Sequence, residues 1–174
     1  MKKKLVAMLC LMVFLCMAMI GTASAANDAV RVIHSGGQEV FDGLLNAITE
    51  VKTQGWTGVT YTLLRSFKVG EPFTMENATL DMAGNTLTFV SEKRPDNTKS
   101  FVNVSIINLG NKLTISNGVK VTFDNCTINL NYKFIEVQSG GKLYVTNGTT
   151  ISNGQNITQK TDFLKPAYNS NPAG

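Results

Sequence analysis

Two similar phrases in the second half of the sequence limit the fold more than any other feature. Residues 111–118 read NKLTISNG and residues 141–148 read GKLYVTNG. Each is a short β-type run followed by Asn-Gly, and a weaker copy, NTLTFV, occupies residues 85–90. A chain that repeats such a short unit builds one simple structural element several times. The sequence therefore predicts a β-rich repeat architecture.

Short apolar or β-branched runs continue from Val59 onward, separated by the turn-forming residues Gly, Asn, Asp and Pro. Two folds fit this pattern. In an antiparallel β-sandwich, LTIS-NG-VKVTF would be a hairpin, because Asn-Gly is the preferred pair for a type I′ turn. In a parallel β-helix, the same residues would form corners, since they tolerate positive φ.

In the β-helix interpretation, three short strands make one rung of about 22 residues. This register places Leu113 and Ile115 beneath Ile135 and Val137, with Ile157 above, so that aliphatic residues stack inside the coil. The two repeated phrases are 30 residues apart. They therefore indicate a shared strand-and-corner unit and need not be stacked copies of one face.

The segment before these runs has a different period. Residues 38–51, QEVFDGLLNAITEV, carry apolar side chains in a stripe of helical spacing, which predicts one amphipathic helix. We expect this helix to cap the first rung, with Trp56 and Tyr61 packed beside it.

The phrase ATLDMAGNTLTF, at residues 78–89, resembles an LDLNGKTL-type phrase of right-handed parallel β-helix surface and adhesin-like proteins of bacteria, which have a pectate-lyase-like fold. With the helix and the rung spacing, this resemblance favours an all-β protein, a short right-handed parallel β-helix with an N-terminal amphipathic capping helix. The antiparallel β-sandwich is the alternative. We expect a signal peptide at 1–25, an N-terminal segment with the capping helix at 26–58, β-helix rungs at 59–160 and a C-terminal tail at 161–174.

The first 25 residues have the three parts of a secretory signal peptide: Lys2 to Lys4, an apolar run from Leu5 to Ile20, and the small-residue site Ala23-Ser24-Ala25. Cleavage after Ala25 predicts a secreted or cell-surface protein. Three of the 16 basic residues leave with this segment, so 13 basic and 12 acidic residues remain. This balance gives no electrostatic reason to expect nucleic-acid binding. Membrane contact is expected only through the signal peptide before cleavage.

Cys126 is the one cysteine that remains after this cleavage, so no intramolecular disulfide is expected. We expect it to be a small buried residue, as cysteines often are. One Cys and one His cannot supply a structural zinc site. No cofactor or metal is therefore predicted.

Five Asn-x-Ser/Thr sequences begin at Asn77, Asn103, Asn125, Asn147 and Asn156. We interpret asparagines at repeated turn positions, such as Asn117 and Asn147, as structural. Their short amides tolerate left-handed φ and can bond to the asparagine of the next rung.

The resemblance to β-helices also implies polysaccharide lyases and hydrolases, which need carboxylates at close range. Stacked rungs could bring together Asp81, Asp124 and Glu136, the candidate acidic cluster. No catalytic residue is assigned, because no D-x-D, G-x-S-x-G or phosphate loop occurs.

The sequence favours a non-catalytic binding or adhesion module over an enzyme. Tyr132 and Tyr144 are the candidate exposed aromatics that could stack on sugar rings of an extracellular glycan. Another surface protein, or a second copy joined end to end, is the alternative partner. The competing hypotheses are a polysaccharide lyase or hydrolase of the same fold, and a structural spacer or truncated fragment of a larger adhesin.

Overall fold

The computed structural model of the chain describes residues 28–92 and 97–152, together with the backbone of residues 164–166. The predicted signal peptide, Asn156 and Ile157 lie outside these residues. The described part contains one helix, α1, at Leu44–Gln54. Its strands are β1 (Val30–His34), β2 (Gly37–Phe41), β3 (Thr60–Leu63), β4 (Phe67–Val69), β5 (Phe73–Asp81), β6 (Leu87–Phe89), β7 (Thr98–Ile107), β8 (Lys112–Ile115), β9 (Lys120–Asp124), β10 (Thr127–Asn129), β11 (Phe134–Val137), β12 (Lys142–Thr146), β13 (Thr150–Ser152) and β14 (Leu164–Pro166).

From β3 onward the chain forms a β-solenoid of about 4 turns. The first face consists of residues 73–76 of β5, 98–102 of β7, β9 and β12. The second face consists of β3, residues 78–81 of β5, 104–107 of β7, β10 and β13. The third face consists of β4, β6, β8, β11 and β14. Within the described residues, successive strands of each face pair in parallel, which confirms the all-β parallel β-helix and excludes the antiparallel sandwich.

The predicted register is also confirmed. Leu113 pairs with Ile135 and Ile115 pairs with Val137. The Asn-Gly pair at 117–118 is a corner, because β8 before it lies on the third face and β9 after it lies on the first. The strand β14, in the segment predicted to be a tail, pairs in parallel with β11 and extends the third face by one strand.

The helix prediction was wrong at its N-terminal end. Residues 37–41 form β2, which pairs antiparallel with β1, and β1 pairs antiparallel with β3. The apolar residues Val40 and Phe41 fit a strand as well as a helix, and pairing with β1 satisfies their backbone groups. The helix begins at Leu44, directly after Gly43, whose backbone is extended (φ −163°). It ends at Gln54, before Gly55, whose backbone is left-handed (φ 67°). Among the described residues, no helix is long and apolar enough to cross a membrane.

Helix α1 contacts β1, β2 and β5 at the N-terminal end of the solenoid. Its inward side chains are buried: Leu44, Ala47, Ile48 and Val51. Tyr61 is 2% exposed beside it, and Trp56 packs against the core. The predicted cap is therefore confirmed, with a shorter helix and an added hairpin.

The core is made of columns of side chains that stack from turn to turn. The second face supplies the column Tyr61, Leu80, Ile106, Ile128 and Ile151. On the first face, the ring of Phe101 lies 5.4 Å from that of Phe73 and 5.1 Å from that of Phe123. Each fully buried side chain of this size stabilises the fold by roughly 1.5–3 kcal/mol. Cys126 is 2% exposed among them, as its sequence context predicted.

An asparagine ladder marks the corner between the first and second faces. The four asparagines at this corner adopt left-handed backbone conformations: Asn77 (φ 50°), Asn103 (φ 54°), Asn125 (φ 51°) and Asn147 (φ 49°). The first three form the ladder. Asn103 Nδ2 donates a hydrogen bond of 2.9 Å to Asn77 Oδ1, and Asn125 Nδ2 donates one of 2.7 Å to Asn103 Oδ1. Asparagine occupies this conformation at lower cost than most residues with a Cβ. The predicted left-handed conformation is confirmed at Asn147, and the predicted bonding between asparagines of successive turns is confirmed at Asn77, Asn103 and Asn125. The prediction was wrong at Asn117, where the positive φ belongs to the following residue, Gly118 (φ 75°).

We expect Asn103→Ala to lower the free energy of unfolding by about 2 kcal/mol, because it removes two hydrogen bonds and leaves a strained left-handed alanine. The matched variant Asn103→Gly loses the same bonds without the strain, so it should lose about 1 kcal/mol less. Urea unfolding followed by circular dichroism measures both. Equal losses in the two variants would contradict the conformational role of the ladder.

Candidate functional site

The two candidate tyrosines both reach solvent, but they lie on different parts of the solenoid. Tyr144 projects from β12 on the first face and is 43% exposed. Tyr132 is 55% exposed and lies between β10 and β11, at the corner between the second and third faces. They do not form one aromatic platform.

The structure does not bring the candidate acidic cluster together. Asp81 ends β5 on the second face, Asp124 ends β9 on the first face, and Glu136 lies in β11 on the third face. Asp81 Oδ1 accepts hydrogen bonds from Ala83 N (2.8 Å) and Asn108 Nδ2 (2.9 Å), so it stabilises a corner. Among the described residues, no group of three His, Cys, Asp or Glu side chains could hold a metal ion. The sequence showed the spacing of these acids but not the face on which each lies.

Glu136 has partners on its own face. Its carboxylate lies 2.8 Å from Lys112 Nζ and accepts a hydrogen bond of 3.3 Å from Thr114 Oγ1. The hydrogen bond from Lys112 is the main cause of a lowered pKa for Glu136. The carboxylate is therefore ionised at neutral pH, in a surface ion pair.

The outward side chains of the first face form rows along the solenoid axis. One row consists of Thr74, Ser100, Thr122 and Tyr144. The adjoining row contains Thr98, Lys120 and Lys142. Because successive strands are about 4.8 Å apart, each row presents polar groups at a regular interval.

Two open hollows join along these rows. One, of ≈ 440 Å³, is lined by residues that include Thr98, Lys120, Lys142 and Tyr144. The other, of ≈ 540 Å³, includes Thr98 and Lys120 and continues to Pro72. Because the two share residues, they make one shallow groove across the turns, the first-face groove.

The first-face groove is polar and positively charged. In the part of the chain that the structure describes, the charged side chains lining it are Lys120 and Lys142. Lys120 Nζ lies 5.0 Å from the ring centroid of Tyr144, at cation–π distance. The groove therefore offers ammonium groups, hydroxyls and one aromatic ring, which suit a ligand rich in hydroxyl or anionic groups.

Beneath the groove, Lys99 is fully buried in the core. Its Nζ donates to Gly70 O (2.8 Å), to Val90 O (3.3 Å) and to Asn97 Oδ1. These acceptors satisfy all three N–H donors of an ammonium group. Burial lowers the pKa of Lys99 to about 8, an effect opposed by the negative charge of Glu92.

Lys99 lies beside a long connection between turns. Asn77 and Asn103 are 26 residues apart, whereas Asn103 and Asn125 are 22 apart. The additional residues lie between β6 and β7. Val90 O, at the start of this connection, accepts hydrogen bonds from Lys99 Nζ and from Asn97 Nδ2, both of 3.3 Å. The lysine side chain therefore joins the start of this connection to Gly70 O and to Asn97.

Sequence reasoning missed Lys99, Lys120 and Lys142. A signal for the last two was present, because they are one 22-residue turn apart, as Asn103 and Asn125 are. Aligning the asparagines would have placed both lysines and Tyr144 on one face. Lys99 had no such signal, since an inward lysine does not differ in sequence from an outward one.

No known protein family, curated protein or solved structure matches the chain. The resemblance to β-helix surface proteins is supported at the level of the parallel β-solenoid.

We expect the stability of the protein to rise with pH between about pH 8 and 9.5 because of Lys99. Its pKa is about 8 in the folded chain against an ordinary value of 10.5, so unfolding takes up a proton in this range and higher pH opposes it. Above about pH 10 the trend should reverse, because burial raises the pKa of Tyr61 from 10.0 to about 12 and unfolding then releases a proton.

Urea unfolding at a series of pH values measures this slope. Lys99→Met should flatten it, whereas Lys68→Met, which removes an exposed lysine of β4, should leave it unchanged. A slope that persists in Lys99→Met would show that another group causes it.

Proposed function

We propose that this protein is a secreted, non-catalytic module that binds a carbohydrate chain in its first-face groove. The observation that carries the proposal is the continuity of the groove, which runs from Pro72 through Thr98 and Lys120 to the exposed ring of Tyr144. A linear polymer can lie along such a groove and contact equivalent positions on successive turns. Surface binding of this kind requires no enclosed cavity.

The chemistry of the groove supports a glycan as the ligand. Hydroxyl side chains and ammonium groups bond to sugar hydroxyls, while the ring of Tyr144 gives an apolar surface for the C–H face of a sugar. Lys120 and Lys142 add positive charge without a neighbouring carboxylate in the groove lining. We therefore expect chains with carboxylate or sulfate groups to bind more tightly than neutral chains of the same length.

The distribution of acids supports binding over cleavage. Glycoside hydrolysis needs two carboxyl groups on either side of the scissile bond, roughly 5–9.5 Å apart. The candidate acids Asp81, Asp124 and Glu136 lie on three separate faces, and no carboxylate lines the groove within the described residues. A purely structural spacer would bind no glycan at all.

Binding of the mature chain, residues 26–174, to an array of acidic and neutral glycans tests the proposal. We expect Tyr144→Ala to weaken binding by about tenfold, because it removes the aromatic surface of the groove. The matched control is Tyr132→Ala, which removes an exposed tyrosine at another corner and should leave affinity unchanged. Reducing-end assays on the same glycans should show no cleavage.

Three results would contradict the proposal. They are unchanged affinity in Tyr144→Ala, absence of binding to any glycan, and turnover that depends on Asp81 or Asp124. Absence of glycan binding would favour the structural spacer, and turnover that depends on Asp81 or Asp124 would favour the enzyme.

A further inference from the structure

A second, smaller pocket lies at the N-terminal end of the solenoid, beside the end of the first-face groove. It has a volume of ≈ 180 Å³ and lies between the C-terminal end of α1 and the first asparagine corner. Ile48, Val51 and Met75 give it an apolar lining. Its polar residues are Lys52, Thr57, Tyr61, Thr74, Glu76 and Asn77, and Trp56 lines it as well.

The asparagine ladder has a direction, and it ends in this pocket. Each amide nitrogen donates toward the N-terminal turn, from Asn125 to Asn103 and from Asn103 to Asn77. Asn77 is the last member, it is exposed, and its Nδ2 has no hydrogen-bond partner within the described residues. Hydrogen bonds in a chain polarise one another. The amide of Asn77 is therefore a strengthened donor at the pocket.

Trp56 is fixed in position by the hairpin of the cap. Its ring lies 3.7 Å from that of His34, with an interplanar angle of 6°. The His34 ring is itself held, because its Nδ1 accepts a hydrogen bond of 3.2 Å from Gly36 N. A pre-oriented indole gives the pocket an apolar surface at low cost in conformational entropy.

The remaining polar residues supply both donors and acceptors. Glu76 accepts hydrogen bonds and Lys52 donates them. Burial raises the pKa of Tyr61 to about 12, so its phenol stays protonated at neutral pH. An apolar floor with donors and acceptors around it matches a sugar ring, which has a C–H face and a rim of hydroxyls that both donate and accept.

We propose that this pocket binds a single sugar ring, such as the terminal residue of a glycan. The volume supports one ring, since it is below the roughly 300–1,000 Å³ of sites for larger ligands. The assignment of a carbohydrate rests on the proposed function, and the pocket adjoins the groove at Thr74, the one lining side chain that the two share. The protein would then hold a chain end and a chain interior at two different places.

Trp56 is the only tryptophan of the sequence, so intrinsic fluorescence reports directly on this pocket. The probes are the methyl glycosides of glucose, galactose, mannose, N-acetylglucosamine and glucuronic acid, titrated into the mature chain. We expect a saturable change in emission with at least one of them. A flat signal with every glycoside, together with no change in the amide NMR resonances of residues 74–77, would overturn the proposal.

Asn77→Asp is the sharpest variant. The aspartate can still accept the hydrogen bond from Asn103 Nδ2 and tolerates the left-handed φ of this corner. It replaces the unpaired Nδ2 donor with a carboxylate oxygen. We expect it to weaken glycoside binding by about tenfold, whereas Asn147→Asp, the same change at the equivalent corner of a later turn, should leave binding unchanged. Glu76 lines the pocket but is not part of the ladder. The second pocket variant, Glu76→Gln, removes its charged acceptor and should weaken binding by about fivefold. Unchanged affinity in both pocket variants would overturn the proposal even if a fluorescence signal were present.

Failure of this proposal and failure of the proposed function give different results. Tyr144→Ala should weaken chain binding and keep the fluorescence response to the glycoside. If Asn77→Asp still binds the glycan chain and the parent protein gives no glycoside response, the groove proposal stands and the pocket proposal is wrong.

Discussion

The corner between the first and second faces is the constraint on which the rest of the structure depends. A strand must change direction there in every turn while it remains paired with the turns on either side. Asn77, Asn103 and Asn125 meet both requirements, because their backbones adopt left-handed φ and their amides bond to one another. With no disulfide among the described residues, this ladder, the inter-turn backbone bonds and the stacked core supply the cohesion of the coil.

The same stacking determines what the surface can do. Because the turns from β7 to β12 keep one register on the first face, a residue type that recurs every 22 residues there becomes a row on that face. Lys120 and Lys142 are such a pair, and Tyr144 continues the row of hydroxyl side chains beside them. Side chains that are not a whole number of turns apart, such as Asp81 and Glu136, lie on different faces. A solenoid of this kind forms an extended recognition surface more easily than a compact catalytic cluster.

Much of the fold could be predicted from local sequence. The pairing of Leu113 with Ile135 followed from strand length and corner spacing, and the burial of Cys126 followed from its residue type. The start of α1 could not be predicted in this way, because Val40 and Phe41 continue the helical stripe of residues 38–51 and only pairing with β1 makes this segment a strand. The groove was missed for a similar reason. Its members are separated by whole turns, so they become neighbours only when the register of the solenoid is known.

Amide NMR mapping of a bound glycan shows whether the rows of the first face form one continuous binding surface. The ligand for this measurement is the shortest oligosaccharide that binds in the glycan array. We expect the shifted resonances to cluster at residues 98–100, 118–122 and 140–144, on successive turns of one face. Shifts confined to the third face, or a ligand that is cleaved during the titration, would contradict it.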